Sequence, residues 1–361
     1  MTKANELANL GQSVWLDYIR RNFLENSGLK DMVAQGIRGV TSNPSIFEKA
    51  IGGSDDYDEQ LADLIRDGKT TDEIYEALAI ADIQMAADIL KPVYDETNGL
   101  DGYVSLEVSP TLAYKTDETI ADARRLHAMV NRPNVMIKVP ATPQGIPAIK
   151  TLISEGININ VTLIFSLEQY EGVMEAYLSG LERLAANDGD LSHVASVASF
   201  FISRVDSAVD NALEEIGNTD LKGKIAIANA AVAYARFNEI FSGERWEKLA
   251  SNGATVQRPL WASTSTKDPS YPDTLYVDTL IGPHTVNTMP TNTLEAFLDH
   301  GTAERTLTDD GADAKALLDS LDETSISLDE ITDKLLAEGV DKFAASFDAL
   351  MTSIEEKQAK L

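Results

Sequence analysis

The sequence contains no cysteine among its 361 residues. That absence excludes disulfide bonds, thiolate metal sites and a cysteine nucleophile. No segment approaches the roughly 20 consecutive apolar residues that a membrane-spanning helix needs. The N-terminal residues also lack the basic and then apolar layout of a signal peptide. We therefore expect a cytoplasmic protein that does not contact a membrane.

Positive charge is also scarce. The chain has 30 Lys and Arg residues against 58 Asp and Glu residues, which gives a formal net charge of −28. Such an acidic surface repels phosphate backbones and anionic membranes, so we expect no nucleic-acid partner. Most of these carboxylates are typical of a solvated surface. A site for an anionic substrate would need a local cluster of basic residues, and basic side chains inside apolar segments are the candidates.

Motifs for metals, nucleotides and serine hydrolysis are missing as well. No paired ligand spacing relates the four histidines, His127, His193, His284 and His300. The acidic residues 55–59 lack the EF-hand pattern. Neither a G-x-G-x-x-G turn nor a P-loop occurs, and no Ser-His-Asp arrangement is indicated. We expect neither a metal centre nor a nucleotide cofactor, and the sequence contains no signal of a particular oligomeric state.

Short apolar runs alternate with longer amphipathic stretches along the chain. The runs have the length and composition of buried strands. They are Ser13–Asp17, Arg38–Ser42, Gly102–Glu107, Val135–Val139, Ile157–Ile164, Val194–Phe200, Pro259–Ser263 and Thr274–Thr279. The clearest helical patterns between them are Thr71–Tyr94, Thr116–Asn131, Leu167–Asn187 and Ile225–Ser251. Ser166 precedes Gln169 by three residues, which predicts a capping box at the start of the third helix.

Eight strands alternating with helices predict a (β/α)8 barrel of the TIM type with additional helices. The alternative is an open doubly wound sheet, which usually has fewer strands and an early glycine-rich phosphate turn. No such turn is present, so the barrel is preferred. We expect one domain over residues 1–361, with barrel strands at about 13–279. The acidic, purely helical pattern at about 302–361 predicts a C-terminal helical appendage.

Lys138 lies within the apolar run VMIKVP at residues 135–140. A lysine at such a position either extends its amine to solvent at a strand edge or remains buried. Burial disfavours the ammonium form and favours the neutral amine, whose lone pair is the nucleophile that forms an imine with a ketone. Lys138 is therefore our candidate for the central catalytic residue.

Two carboxylates end predicted strands. Glu107 shares a strand face with Ser105 and can position the water that takes part in making and breaking an imine. A structural ion pair with a neighbouring strand is the alternative for Glu107. Asp17 ends the first strand and can take a proton from a substrate hydroxyl when a carbon–carbon bond breaks. For Asp17 the alternative is a helix N-cap.

Neutral hydrogen-bonding residues end most of the other strands. The candidates that could line a polyol site are Thr41, Asn43, Asn160, Thr162, Ser199 and Ser263. Each also has a structural alternative, because Ser, Thr and Asn commonly satisfy backbone groups in turns.

Positive charge for a phosphate could come from Arg204, just past the sixth strand, and from Lys267, just past the seventh. Barrels commonly bind phosphate with their late loops, although surface exposure is the alternative for both residues.

Several of these segments together resemble the transaldolase family over nearly the whole chain. Residues 39–45, GVTSNPS, resemble its Thr-(Ser/Thr)-Asn-Pro-(Ser/Thr) signature. Residues 135–142, VMIKVPAT, resemble the segment that carries the family's Schiff-base lysine. Residues 261–267, WASTSTK, are similar to the longer bacterial branch of the family.

The resemblance implies an enzyme that needs no cofactor or metal. It would transfer a dihydroxyacetone unit from sedoheptulose 7-phosphate to glyceraldehyde 3-phosphate through a Schiff base on Lys138, as part of the pentose phosphate pathway. Asp17 would act on the cleaved hydroxyl and Glu107 through a water on the imine. The same resemblance implies a polar lining that holds donor hydroxyls or the water, made of Asn43, Asn160, Thr162 and Ser199. Arg204 and Ser263 would lie near the phosphate.

One position departs from the family pattern. Shorter members have a second phosphate-binding arginine two residues after the serine that matches Ser263, and Ser265 stands there in this chain. Lys267 is our candidate for the missing charge, and the alternative is that the phosphate is held in a different way. Two other functions remain open at this point: a sugar-phosphate aldolase that releases dihydroxyacetone, and a non-catalytic sugar-phosphate binder.

Overall fold

Eight parallel strands close into a barrel in chain order in the computed structural model, which describes residues 2–360. Each strand pairs with the next one along the chain, and the last pairs with the first. The strands are β1 Gln12–Leu16, β2 Gly39–Val40, β3 Tyr103–Glu107, β4 Val135–Pro140, β5 Ile159–Ile164, β6 Ser196–Phe201, β7 Arg258–Ala262 and β8 Thr285–Met289. The predicted (β/α)8 fold is confirmed.

Helices follow the strands and surround the barrel. In the first half of the chain they are α1 Lys3–Asn9, α2 Arg21–Glu25, α3 Gly28–Ala34, α4 Pro44–Phe47, α5 Asp58–Arg66, α6 Thr71–Glu96, α7 Thr116–Val130 and α8 Gly145–Ile153. In the second half they are α9 Leu167–Ala186, α10 Ser203–Glu215, α11 Ile225–Ile240, α12 Glu244–Ala250, α13 Leu275–Asp278, α14 Thr291–His300, α15 Ala312–Asp322 and α16 Leu328–Gln358. A π-helical turn spans Glu48–Gly52 and a 3-10 turn spans Pro110–Leu112. None of the helices within residues 2–360 combines the length and the apolarity required to cross a membrane.

Seven of the predicted strands coincide with observed ones, but the eighth prediction is wrong. The run Thr274–Thr279 contains helix α13, and the true β8 begins at Thr285. A short apolar run bounded by turn residues has the same pattern in a buried strand and in a buried helical turn. The true strand was missed because polar Thr285 and Asn287 interrupt its apolar pattern, and both are completely buried in the barrel.

The predicted helices are largely as expected. The capping box is present, since the Ser166 side chain accepts the Gln169 N–H and the Gln169 side chain accepts the Ser166 N–H. The predicted helix at Ile225–Ser251 is two helices, α11 and α12, separated by Phe241-Ser242-Gly243. Gly243 adopts an extended conformation at the N-cap of α12, so the chain changes direction there.

The predicted C-terminal helical appendage consists of α15 and the 31-residue α16. Helix α16 packs against α4, the 3-10 turn and α10. These elements follow the carboxyl ends of β2, β3 and β6 respectively. Helix α16 therefore lies across the C-terminal mouth of the barrel, where barrel enzymes carry their active sites.

The opposite, N-terminal end of the barrel contains a buried ion pair. Arg258 at the start of β7 donates to Asp101 at 2.9 Å and to Ser13 at 2.8 Å. Asp101 also accepts from Ser13 at 2.6 Å and from the indole N–H of Trp15 at 3.0 Å. Because every partner is hydrogen-bonded, this network ties the starts of β1 and β7 to the loop before β3.

Candidate active site

A cavity of about 800 Å³ opens at the C-terminal mouth of the barrel. All but two of the predicted site residues line it: Asp17, Thr41, Asn43, Lys138, Thr162, Ser199, Arg204, Ser263 and Lys267. The two others, Glu107 and Asn160, lie directly behind this lining and contact Lys138 and Ser199 respectively. The structure therefore brings the whole predicted set to one place.

Lys138 occupies the floor of the cavity. It is 4% exposed, and its Nζ donates to the Ser42 carbonyl at 3.1 Å. Lys138 is on β4, and the strand register places it between Glu107 on β3 and Asn160 on β5. Its Nζ lies 5.9 Å from the ring centre of Phe343, which comes from α16. The amine is thus held away from bulk solvent and points toward the cavity.

Glu107 lies beside this amine, with its Oε2 3.7 Å from Lys138 Nζ. Burial raises the pKa of Glu107 to about 7, and the nearby Lys138 charge opposes part of that rise. Within residues 2–360, its Oε2 has no hydrogen-bond partner. Glu107 also faces a second, smaller cavity of about 330 Å³ between α6 and α7. A carboxyl with this pKa can both donate and accept a proton near neutral pH.

Asp17 follows β1 directly and lies across the cavity floor. Its Oδ1 accepts from Thr41 at 2.6 Å, and Thr41 in turn contacts Thr288 of β8 at 2.7 Å. Burial raises the pKa of Asp17, while the charge of Lys138 opposes this. Asp17 is not a helix cap, because α2 begins later with Arg20 at its N-cap. The carboxyl is therefore available to a ligand.

Polar side chains of three strands form a buried chain of hydrogen bonds beneath the cavity. Ser199 donates to Asn160 at 2.7 Å, and Asn160 donates to Ser105 at 3.0 Å. Thr162 Oγ1 is buried and has no hydrogen-bond partner within the described chain. Asn43 lines the cavity and also caps α4, since its Oδ1 accepts the Ile46 N–H at 3.0 Å. The site thus offers fixed donors and acceptors suited to hydroxyl groups.

Arg204 lies on one wall of the cavity, at the second position of α10. Its guanidinium carbon is 5.1 Å from the ring centre of Phe201 and 5.7 Å from that of Phe343. Burial lowers its pKa, and the carboxylates of Glu107 and Asp17 oppose that shift. Ser263 contacts Ser203 of the same helix at 2.7 Å between hydroxyl oxygens. Arg204 and Ser263 therefore lie on adjoining parts of the wall.

Several cavity residues were not found from the sequence. Thr288 belongs to the misplaced eighth strand, and Lys49 follows α4 in the π-helical turn. Lys342 and Phe343 belong to α16, whose acidic amphipathic pattern indicated only an appendage. No local signal marks Lys342 and Phe343, because their position in the site results from how α16 docks on the barrel.

Metal ligands are not clustered in the part of the chain that the structure describes. Residues 2–360 contain no group of three or more His, Asp or Glu side chains arranged to hold a metal ion.

Comparison with known proteins gives a consistent family. The family model described as Transaldolase/Fructose-6-phosphate aldolase matches residues 14–354. The chain is 51% identical to a transaldolase of Parafrankia sp., covering 98% of this chain and 97% of the relative. It is 50% identical to transaldolase 1 of Streptomyces avermitilis, covering 99% of each chain. It is 48% identical to a transaldolase of Trichodesmium erythraeum, covering 99% of this chain and 97% of the relative. The chain therefore belongs to the transaldolase/fructose-6-phosphate aldolase family.

Proposed function

We propose that the protein is a cytoplasmic transaldolase of the pentose phosphate pathway. It transfers a dihydroxyacetone unit from sedoheptulose 7-phosphate to glyceraldehyde 3-phosphate and yields erythrose 4-phosphate and fructose 6-phosphate. The observation that carries the proposal is the buried amine of Lys138, 3.7 Å from the buried Glu107 carboxyl on the floor of a polar cavity.

The first step joins Lys138 to the donor. The amine lone pair attacks the donor's ketone carbon, and the resulting carbinolamine loses water to give an iminium ion. Glu107 gives a proton to the departing hydroxyl and takes one back from water when the imine is hydrolysed. Its pKa of about 7 suits both directions at neutral pH. Thr162, whose hydroxyl is free of other hydrogen bonds in the described chain, is placed to hold that water.

The second step breaks the carbon–carbon bond beyond the imine carbon. Asp17 accepts the proton of the adjacent hydroxyl, the hydroxyl carbon becomes the carbonyl of the released aldose phosphate, and the bond's electrons move into the iminium to form an enamine. Thr41 keeps Asp17 oriented through its 2.6 Å hydrogen bond. The enamine then attacks the carbonyl carbon of the acceptor, and Asp17 returns the proton to the new hydroxyl.

The remaining polar residues hold the substrate. Asn43, Asn160, Thr162 and Ser199 bind donor hydroxyls or position the water. Arg204, Ser263 and Lys267 bind the phosphate at the wall of the cavity, where all three are present. Charge-assisted hydrogen bonds of this kind suit a phosphate better than neutral contacts do.

The test is reductive trapping of the imine with borohydride. Wild-type protein is incubated with fructose 6-phosphate and borohydride, then digested and mapped by mass spectrometry. We expect a three-carbon adduct on Lys138, none in Lys138→Met, and the wild-type adduct in the control variant Lys150→Met on the outer helix α8. An adduct on another lysine would retain the reaction class and overturn the site, whereas no adduct on active protein would overturn the imine mechanism.

The family includes fructose-6-phosphate aldolases, which makes a release reaction the second candidate. An assay with and without an acceptor aldehyde separates the two. A transaldolase forms a new ketose phosphate only when acceptor is present and releases little free dihydroxyacetone without it. Rapid release of dihydroxyacetone in the absence of acceptor would identify an aldolase instead.

A further inference from the structure

Four basic side chains gather around the mouth of the main cavity: Lys49, Arg204, Lys267 and Lys342. None of them forms an ion pair with a carboxylate of residues 2–360. Two other basic residues that line the same cavity do form ion pairs, Arg20 with Asp56 and Lys138 with Glu107. The four charges are thus not neutralised within the described residues, although the net charge of the chain is −28.

The charges of these side chains act on one another. The pKa of Lys342 is lowered mainly by the positive charge of Arg204, and to a smaller extent by burial and by the charge of Lys49. The pKa of Lys267 is lowered mainly by burial, and in second place by the positive charge of Lys342. Like charges at this proximity disfavour their own charged forms, and an anion bound between them removes that cost. The cluster therefore has the properties of an anion site.

Helix α16 shapes this cluster. Gly339 and Phe343 are four residues apart and thus lie on one face of the helix, against Arg204. A Cβ built on Gly339 would lie 3.4 Å from Arg204 Nη1 and 3.0 Å from Leu163 Cδ2, so glycine permits this close approach. The Phe343 ring covers the guanidinium at 5.7 Å. The helix is fixed to the barrel nearby through Ser346 and Ser45, whose hydroxyls are 2.6 Å apart.

We propose that α16 is part of the phosphate-binding site, in which Lys342 contacts the phosphate of the sugar together with Arg204. Gly339 and Phe343 act as positioning residues that hold Arg204 in place. The proposal rests on the proposed function, and it adds Lys342 to Lys267 as a cation that can replace the arginine absent at Ser265. A phosphate group carries a charge of about −1.5 to −2 at neutral pH and pairs well with two cations.

The first test replaces Lys342 and uses a matched control on the same helix. Lys342→Gln removes the charge that the proposal assigns to the phosphate site. The control, Lys334→Gln, removes an exposed lysine charge that is paired with Glu338. We expect Lys342→Gln to raise KM for fructose 6-phosphate roughly tenfold or more, the scale of a lost charge-assisted contact. It should also weaken competitive inhibition by inorganic phosphate by a similar factor. The KM for dihydroxyacetone as donor should not change, and Lys334→Gln should match the wild type throughout.

The second test addresses the positioning role. Gly339→Ala should raise KM for fructose 6-phosphate several-fold while kcat and the KM for dihydroxyacetone remain unchanged. In an Arg204→Gln background the same substitution should have no further effect on KM, because the guanidinium that Gly339 accommodates is then absent. An equal, additive effect in both backgrounds would show that Gly339 does not act through Arg204.

The outcomes distinguish this proposal from the function on which it rests. Dihydroxyacetone with borohydride should label Lys138 at the wild-type rate in Lys342→Gln. If that label appears and KM for fructose 6-phosphate is unchanged, the role of Lys342 is overturned and the imine mechanism stands. If Lys342→Gln raises KM equally for dihydroxyacetone, Lys342 does not act on phosphate. If fructose 6-phosphate with borohydride does not label the wild-type protein, the proposed function fails.

Discussion

Glu107 Oε2 lies 3.7 Å from Lys138 Nζ, and the two residues are register partners on adjacent strands β3 and β4. Both side chains are only 6% exposed, so the amine and the carboxyl face each other largely without water. A proton that leaves the amine therefore has an acceptor beside it. The pair places a buried amine beside a carboxyl whose pKa is about 7, in one wall of the barrel.

Replacing Lys138 with alanine should abolish turnover but leave the fold intact. The expected loss in kcat is roughly 10⁴-fold or more, the scale seen when a covalent nucleophile is removed. Glu107 would lose its cationic neighbour, but a carboxyl whose pKa is already raised by burial can remain protonated and neutral. Far-ultraviolet circular dichroism and the thermal midpoint test the fold, and an unfolded variant would indicate a structural lysine.

Activity should depend on the ionisation of Glu107. Its folded pKa of about 7 is higher than the ordinary value of 4.5, so the carboxyl retains its proton below pH 7 and loses it above. Since loss of water from the carbinolamine needs the protonated form and hydrolysis of the imine needs the ionised form, kcat should be highest near pH 7, with an inflection on either side. Glu107→Gln should remove these inflections and lower kcat by roughly 10²- to 10⁴-fold.

The measurement is a kcat profile across neutral pH for wild type, Glu107→Gln and the surface control Glu155→Gln. The control should retain the wild-type profile, because Glu155 lies on the outer surface beside Arg124. If the inflections persist in Glu107→Gln, the titrating group is another one, and Asp17, whose pKa burial also raises, is the next candidate.

Removing Arg204 should affect phosphorylated donors selectively. In Arg204→Ala, we expect KM for fructose 6-phosphate to rise far more than KM for dihydroxyacetone, by roughly tenfold or more, because only the former has a phosphate. Steady-state kinetics with both donors test this. Similar changes in the two KM values would place Arg204 away from the phosphate.

The buried ion pair at the N-terminal end should matter for stability rather than catalysis. Arg258→Met leaves Asp101 buried without its cation and should lower the free energy of unfolding by about 3–5 kcal/mol. The pair is at the opposite end of the barrel from Lys138, so kcat of the folded variant should be retained. Urea unfolding measures the first effect. Arg124→Met, which breaks an exposed pair with Glu155, should change the unfolding midpoint little.

The alternation of strands and helices, and with it the barrel, could be predicted from the sequence. Buried strands and amphipathic helices differ in length and apolar pattern, and both are local properties. The prediction was wrong where that pattern was ambiguous. Helix α13 has a short apolar run like a strand, while β8 contains polar Thr285 and Asn287, which are completely buried although they lie on the strand face opposite the cavity-lining Thr288.

The floor of the candidate site could also be predicted residue by residue. A lysine or carboxylate within an apolar strand run is conspicuous, and parallel strands of a barrel bring their carboxyl ends to one rim. Lys138, Glu107 and Asp17 were found for that reason.

The sequence by itself therefore determined the barrel and the polar residues at the ends of its strands, because both follow from short-range patterns. Only the tertiary structure decided that Lys49 and Lys342 join the predicted Arg204 and Lys267 around the cavity. Lys342 lies in a helix whose pattern is that of an ordinary acidic surface helix, and it joins Arg204 because α16 packs across the mouth of the barrel. Contacts between residues so far apart in the chain depend on how whole elements dock, and no local spacing encodes that arrangement.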